Sequence, residues 1–247
     1  ATSPRRGPTL RCEWSKLPPT ADRAAQPPRL TRVTPTRRLA HELRARHDEE
    51  CVAQGLEVWA TPDIVTWDEL IERMFMLDRQ AARLGGRWLP ASAAQLLWER
   101  IVRDDPELTP LLSPAGVARA AAQSWRRLHD FRVPLAALED DQSAETAAFS
   151  RWCSAYRRLL EERDWTDGVL AQSRVHALAA MPGLELVGFD RLAPLQESLL
   201  QEWAAAGVEV RLVQAPNKAG LCRRTQCLDP AAEIDAAARW VAERLDG

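Results

Sequence analysis

The spacing of apolar residues predicts alternating strands and helices at the start of the chain. Leu30–Thr34 carries β-branched side chains and is closed by Pro35, so it predicts a short strand. Residues 36–54 predict a helix that ends at Gly55, because glycine favours the position after a helix. A second strand is predicted over Leu56–Trp59.

A capping-box pattern predicts a helix start at Thr66. Thr66 and Glu69 are three residues apart, so the hydroxyl and the carboxylate can satisfy each other's free backbone amides. The apolar residues behind them step by three or four, as in an amphipathic helix, until Gly85 and Gly86 break the pattern. These residues are Leu70, Met74, Leu77, Ala81 and Leu84.

Between about Ser92 and Ala180 every strong periodic signal is helical. Ser92 and Gln95 form another capping pattern, and Ser113 followed by Pro114 predicts a further helix start. Aromatic residues fall on the apolar faces of these helices, and we interpret them as core residues. They are Trp98, Trp125, Phe149, Trp152 and Tyr156.

Strand patterns return after this helical block. Residues 184–189 and 208–213 predict strands, with a helix at 194–206 between them. Leu221–Leu228 predicts a further strand, and Asp229 opens a last helix. The chain therefore predicts an α/β fold in which a parallel sheet is interrupted by an all-α subdomain.

The same pattern divides the chain into five parts. An irregular, proline-rich arm is expected at 1–29, the two parts of the sheet core at 30–88 and 183–216, and a helical insert between them at 89–182. The last part, 217–247, is expected to begin a new structural region.

Composition and charge narrow the class of protein. The net charge of −2 over 247 residues excludes a nucleic-acid-binding protein that is basic over its whole surface, but local basic patches remain open. All but Lys16 and Lys218 of the 33 basic residues are Arg. Apolar runs are too short to cross a membrane. The five cysteines are scattered and odd in number, which favours a reducing, cytoplasmic location and predicts no metal site.

A segment rich in Thr and Arg joins the first predicted strand to the first helix. Thr34 and Thr36 carry hydroxyls, Arg37 and Arg38 carry charge, and the helix start supplies free amides, so the segment suits an anion. It resembles motif Ia of the superfamily 1 helicases of the UvrD and RecB kind, which contacts the phosphates of single-stranded DNA. The resemblance implies that these four residues bind DNA; the alternative is a solvated basic helix start.

A second segment follows the strand pattern at 184–189. Phe189 and Gln196, with the leucines nearby, resemble motif II of the same helicases. Val187 and Gly188 stand where that family has the magnesium-binding Asp and the Glu that activates water, and neither residue can do that chemistry. Asp190 is the nearest carboxylate, displaced from the motif position.

The glycine-rich phosphate loop that ends in Lys-Ser or Lys-Thr is missing from the sequence. This loss agrees with the loss of the motif II carboxylates. We therefore expect no catalytic residues, no bound metal and no cofactor in this chain.

The order of these parts resembles the AddB-like subunits of helicase–nuclease repair complexes and their relatives among DNA-repair exonucleases. The resemblance implies a RecA-like (P-loop NTPase-like) core, a second helicase-like half that opens within 217–247, and a nuclease of the PD-(D/E)XK kind farther downstream. It implies an inactive helicase-like domain that holds single-stranded DNA or DNA ends, or supports the nuclease, beside a partner helicase–nuclease subunit. No membrane and no small-molecule substrate are expected.

Two other functions stay open on the sequence. One is a protein-interaction scaffold without DNA contact, which the near-neutral charge favours. The other is a divergent ATPase in which Asp190 replaces the motif II carboxylates. Trp59 and Trp67 are candidates for stacking on DNA bases, although we prefer core packing for both.

Overall fold

The computed structural model describes residues 30–107, 113–138, 143–176, 183–213 and 224–245. The predicted arm at 1–29 lies outside these residues. The chain divides into two compact units, residues 1–214 and 215–247. The elements of the first unit, in chain order, are β1 (Thr31–Thr34), α1 (Arg37–Ala53), β2 (Ile64–Thr66), α2 (Trp67–Gln80), β3 (Arg87–Leu89), α3 (Ala91–Arg103), α4 (Pro114–Asp130), a 3-10 helix (Leu135–Leu138), α5 (Ala144–Arg163), β4 (Trp165–Asp167), α6 (Gly168–Ala171), β5 (Leu184–Val187), α7 (Pro194–Ala205) and β6 (Val210–Val213).

Four strands form one parallel sheet in the order β2-β1-β5-β6. Val33 of β1 is in register with Val65 of β2 and with Leu186 of β5, so apolar side chains form a row on one face. All three are buried. The fold is therefore α/β with a parallel sheet, as the sequence predicts.

The helices cover the two faces of this sheet differently. Trp67 of α2 and Trp203 of α7 pack in one core with Val33 and Leu186. From β1 the chain passes through α1 to β2, toward one end of the strand order. From β5 it passes through α7 to β6, toward the opposite end of the strand order. Because such crossovers are right-handed, α1 and α7 lie on opposite faces of the sheet.

A second core lies among α3, α4 and α5. Trp98, Trp125 and Tyr156 are almost fully buried there, and the rings of Trp98 and Tyr156 stack with centroids 4.3 Å apart. The interpretation of these aromatic residues as core is therefore confirmed. Aromatic packing of this kind contributes about 0.5–1.5 kcal/mol per pair beyond the burial of apolar area.

The block between 89 and 182 is not all helical. Strand β4 lies within it and pairs in parallel with β3, with Trp88 opposite Thr166. Strands of three residues are too short to show a period in the sequence, and the partners are separated by a long stretch of chain. The expectation of an all-α subdomain is wrong in this respect.

The strand predicted at Leu56–Trp59 is also wrong, since the second strand is Ile64–Thr66. Val58 is 88% exposed, and the Trp59 indole N–H donates to Asp48 Oδ1 of α1 at 2.7 Å. Although β2 is an edge strand, all three of its residues are buried, so it needs apolar side chains toward both faces. Ile64 and Val65 supply them, and the alternating pattern at 56–59 does not.

Three predicted helix starts are confirmed by their caps. Thr36, Thr66 and Ser113 each accept a hydrogen bond from a backbone N–H three residues later. The pattern at Ser92 and Gln95 is wrong, because α3 begins at Ala91 after Pro90 and has no side-chain cap.

The second unit contains α8 (Pro230–Leu245), as the sequence predicts. The strand predicted at Leu221–Leu228 falls partly outside the described residues, and its described part, 224–228, contains no strand.

Within the described parts of the chain, Cys51, Cys153 and Cys227 are free thiols. None of the helices in those parts combines the length and apolar character needed to span a bilayer.

Candidate nucleic-acid interface at the carboxyl edge of the sheet

The segment from Thr34 to Arg38 and the segment that ends β5 meet at one edge of the sheet. Strands β1 and β5 are parallel neighbours, with Val33 opposite Leu186, so both segments leave the sheet at its carboxyl edge. The following helices, α1 and α7, turn to opposite faces. A crevice between two such strands is where open α/β sheets bind ligands, which makes this edge the candidate site.

Thr34 is fully buried at the end of β1. Its hydroxyl donates to the backbone carbonyl of Thr36 at 3.1 Å and therefore holds the turn that leads into α1. The Thr34 side chain is occupied inside the protein, so it supports the shape of the edge without facing solvent.

Thr36 is the N-cap of α1. Its backbone is extended (φ −139°), and its Oγ1 accepts the Leu39 N–H at 3.3 Å. The amides of Arg37 and Arg38, the first two in the helix, have no intrahelical acceptor. The first turn contains no acidic residue, so the positive end of the helix dipole faces outward.

Arg37 and Arg38 are the exposed cations of this edge. The Arg37 side chain is 88% exposed and lies 3.8 Å from the Glu69 carboxylate. The hydrogen bond from the Thr66 backbone N–H lowers the pKa of Glu69, and Arg37 lowers it further, against partial burial. Arg38 forms no side-chain hydrogen bond or ion pair with any described residue.

Gly188 is crowded by the first turn of α1. Its φ is +78°, and a Cβ built on it would lie far inside van der Waals contact of the Leu39 Cδ2 atom and 3.9 Å from Pro35 Cδ. In the helicases that this segment resembles, a glutamate stands at this position. Here the first turn of α1 occupies the space that such a side chain would need.

The other residues of the motif II-like segment have structural contacts. Val187 ends β5 opposite Val213 of β6, and the Phe189 ring packs edge-on against Trp67 with centroids 6.4 Å apart. Gln196 accepts the Ala193 backbone N–H through Oε1 at 3.0 Å and so completes the start of α7.

Asp190 is exposed and forms no side-chain hydrogen bond or ion pair with any described residue. Among the described residues, no group of three or more His, Cys, Asp or Glu is arranged to hold a metal ion.

A cleft of about 590 Å³ opens beside Arg37, and no sequence pattern indicated it. Asp68, Glu69 and Glu72 line it on the α2 side. Asp68 forms a two-pronged ion pair with Arg126 of α4, with N–O distances of 2.8 and 3.3 Å. Arg37, Arg119 and Arg126 also line the cleft, so its carboxylates are largely balanced by cations. Arg38 is therefore the cation of this edge that has no carboxylate partner among the described residues.

Asp167, which also lines that cleft, is a buried carboxylate without a predicted role. It accepts hydrogen bonds from Tyr156 Oη at 3.0 Å, from Trp125 Nε1 at 3.3 Å and from the Leu170 backbone N–H at 2.8 Å. Burial is the largest cause that raises the pKa of Tyr156, and the adjacent carboxylate raises it further. Asp167 followed by Gly168 is a helix-cap pattern, and this pattern would have predicted the hydrogen bond from the Leu170 N–H.

The two tryptophans considered for base stacking are both held by the protein. Trp67 is buried, and its indole N–H donates to Gln172 Oε1 at 2.8 Å. Trp59 is bound to α1 through Asp48.

No protein-family model matches the chain, and no curated protein matches it.

Proposed function

We propose that this chain is a helicase-like domain without ATP hydrolysis, from a DNA-repair exonuclease of the AddB-like kind. Its core is RecA-like, and its task is to hold single-stranded DNA or to support a downstream nuclease. The observation that carries the proposal is the meeting of two helicase-like segments on neighbouring strands, β1 and β5, at one carboxyl edge. Right-handed crossovers to opposite faces put them at a place suited to a ligand.

The contacts at this edge favour DNA holding over nucleotide chemistry. Leu39 occupies the space at Gly188, and the carboxyl pair of motif II is absent, so magnesium and the attacking water have no side chains to hold them. The exposed guanidinium groups of Arg37 and Arg38, beside the free amides of α1, suit the phosphates of a strand.

Equilibrium binding of a fluorescent oligothymidylate tests the DNA role. We expect binding that weakens as salt rises from about 50 to 200 mM, with a log–log slope of about −0.7 for each phosphate neutralised. The double variant Arg37→Ala/Arg38→Ala lowers the magnitude of that slope by about 1.4, because two contacts are lost.

The matched control is Arg46→Ala, which removes an exposed arginine of the same helix that is paired with Glu42 at 3.1 Å. This variant leaves the slope unchanged. The DNA role is refuted if the wild-type chain does not bind at low salt, or if the control and the double variant lose the same affinity.

A scaffold that does not contact DNA is the second candidate, and the burial of the Thr34 hydroxyl favours it. Capture of a helicase–nuclease partner subunit by a chain that does not retain the oligonucleotide distinguishes it from the first.

A further inference from the structure

A cavity of about 850 Å³ lies in the first unit, and neither Arg37 nor Arg38 lines it. It is bounded by the end of α4, the 3-10 helix Leu135–Leu138, the last turns of α5, and β4. Its volume is within the range of about 300–1,000 Å³ that is usual for small-molecule sites.

The wall of this cavity carries an excess of positive charge. Arg132, Arg157 and Arg174 line it. Two more guanidinium groups, those of Arg87 and Arg163, each lie 5.9 Å from the ring centroid of Trp165, which forms part of the wall.

The carboxylates on this wall do not balance those cations. Glu161 and Asp164 are the two acidic residues that line the cavity. Glu161 is already paired with Arg157 at 3.0 Å. Arg87 and Arg163 contact the Trp165 ring but do not line the cavity, so the wall itself carries three guanidinium groups and two carboxylates. In a chain whose net charge is −2, this is a local excess of positive charge that attracts an anion.

Arg132 is the cation most available to a ligand. Its side chain forms no hydrogen bond or ion pair with any described residue. Its backbone lies in the left-handed region, with φ +56°, at the end of α4, where glycine is the usual residue. The backbone of a residue other than glycine is strained in this conformation. No contact of the Arg132 side chain with a described residue explains why an arginine stands there.

Arg174, a second cation of the wall, uses one guanidinium nitrogen to donate to Thr166 Oγ1 at 2.6 Å. Its other nitrogen donors form no hydrogen bond with any described residue. Two guanidinium groups that line one cavity are the arrangement that proteins use to hold the oxygens of a phosphate.

The remainder of the cavity is mostly apolar and aromatic. Leu128, Leu135, Leu170 and Trp165 line it. Trp125 and Leu160 also border it, but each is only 1% exposed and belongs to the helical core. Such a surface suits a flat, uncharged ring, and the cations suit an anion attached to that ring.

We propose that this cavity binds one nucleotide unit through its phosphate and its base. Arg132 and Arg174 hold the phosphate, and the leucine and tryptophan surface holds the base. This site goes beyond the proposed function, since neither Arg37 nor Arg38 lines it. The unit is either a free nucleoside monophosphate or the 5′-phosphorylated end of a strand, which have the same chemistry.

Calorimetric titration with deoxyadenosine 5′-monophosphate tests this site. We expect saturable binding to the full chain, with weaker binding of deoxyadenosine and of inorganic phosphate because each supplies only part of the contacts. Arg132→Gly and Arg174→Gln each weaken binding about tenfold or more. Stronger binding of an oligonucleotide with a 5′-phosphate than with a 5′-hydroxyl identifies a strand end as the source, and equal binding of the two oligonucleotides identifies the free nucleotide.

Arg132→Gly also separates binding from folding. Glycine relieves the left-handed strain at this position, so the variant melts at the same temperature as the wild type or higher while binding is lost. The matched control is Ala82→Gly at φ +54°, which relieves similar strain outside the cavity and keeps full binding.

The proposal is overturned if the wild type does not bind the nucleotide at low salt, or if Arg132→Gly binds it as well as Ala82→Gly does. Arg37→Ala/Arg38→Ala leaves nucleotide binding unchanged, so this experiment and the DNA-binding experiment can fail independently.

Discussion

The closeness of Gly188 to Leu39 predicts a specific loss of stability when Gly188 is replaced by alanine. Two costs add. An L-residue in the left-handed region costs about 1–2 kcal/mol, and Gly188 has φ +78°. The new methyl carbon would also lie far inside van der Waals contact of Leu39 Cδ2. Overpacking of this kind costs about 1–3 kcal/mol.

Because Leu39 Cδ2 is the end of a flexible side chain, rotation of Leu39 relieves part of the second cost. We therefore expect Gly188→Ala to lower the free energy of unfolding by about 2–4 kcal/mol in total. For a unit of this size, each kcal/mol lowers the melting temperature by about 2–4 °C.

Gly55 provides the matched control. Its φ is +74°, almost the same as at Gly188, but a Cβ there meets nothing within 4 Å. Gly55→Ala therefore measures the backbone cost alone, about 1–2 kcal/mol. The difference between the two variants isolates the crowding by Leu39.

Urea unfolding followed by tryptophan fluorescence measures both variants, together with Leu39→Ala and the double variant Leu39→Ala/Gly188→Ala. We expect the excess cost of Gly188→Ala to disappear in the Leu39→Ala background, which gives a coupling energy of about 1–2 kcal/mol. Equal losses for Gly188→Ala and Gly55→Ala, within about 0.5 kcal/mol, would refute the contact.

Helix caps and burial lead to three further predictions. Thr66→Ala removes the acceptor of the Glu69 N–H and lowers the free energy of unfolding by about 1 kcal/mol, as denaturant titration would show. Gln196→Ala frees the Ala193 N–H and costs about 0.5–1 kcal/mol, while oligonucleotide binding stays unchanged in the same titration; a loss of binding would give Gln196 a direct role. Burial lowers the pKa of His129, so the folded state favours the neutral ring and stability falls as pH drops below about 6.5. Thermal melts between about pH 5 and 7 measure this dependence of the melting temperature on pH, and His129→Gln should remove the part that His129 contributes. An unchanged pH dependence in the variant would contradict the burial argument.

The parts of the fold that could be predicted are those set by local sequence. Thr36, Thr66 and Ser113 start helices because a hydroxyl next to free amides works within one turn of chain. The strands β1 and β5 are predictable because their apolar runs are bounded by turn residues.

The parts that could not be predicted depend on contacts between distant residues. Trp88 and Thr166 pair across a long stretch of chain, in strands too short to show a period. Leu39 lies against Gly188 because β1 and β5 are neighbours in the sheet, which no local pattern encodes.

The sequence indicates a candidate site by segment, and the structure shows which of its side chains are exposed. The resemblance named Thr34, Thr36, Arg37 and Arg38 together, but the structure buries the Thr34 hydroxyl and uses the Thr36 hydroxyl as a cap. Arg37 and Arg38 remain exposed. Hydrogen bonding within the turn decides which polar groups are available, and it becomes visible only when the backbone is known.

Hydrogen–deuterium exchange with and without oligothymidylate tests the central claim most directly. The amides of Arg37 and Arg38 have no intrahelical acceptor, so they exchange rapidly in the free protein. If the edge holds a single strand, binding slows exchange at the start of α1, while the start of α4 at Ala115 and Gly116 stays unchanged. Equal exchange in the bound and free protein at Arg37 and Arg38, under conditions where the oligonucleotide is bound, would contradict the account.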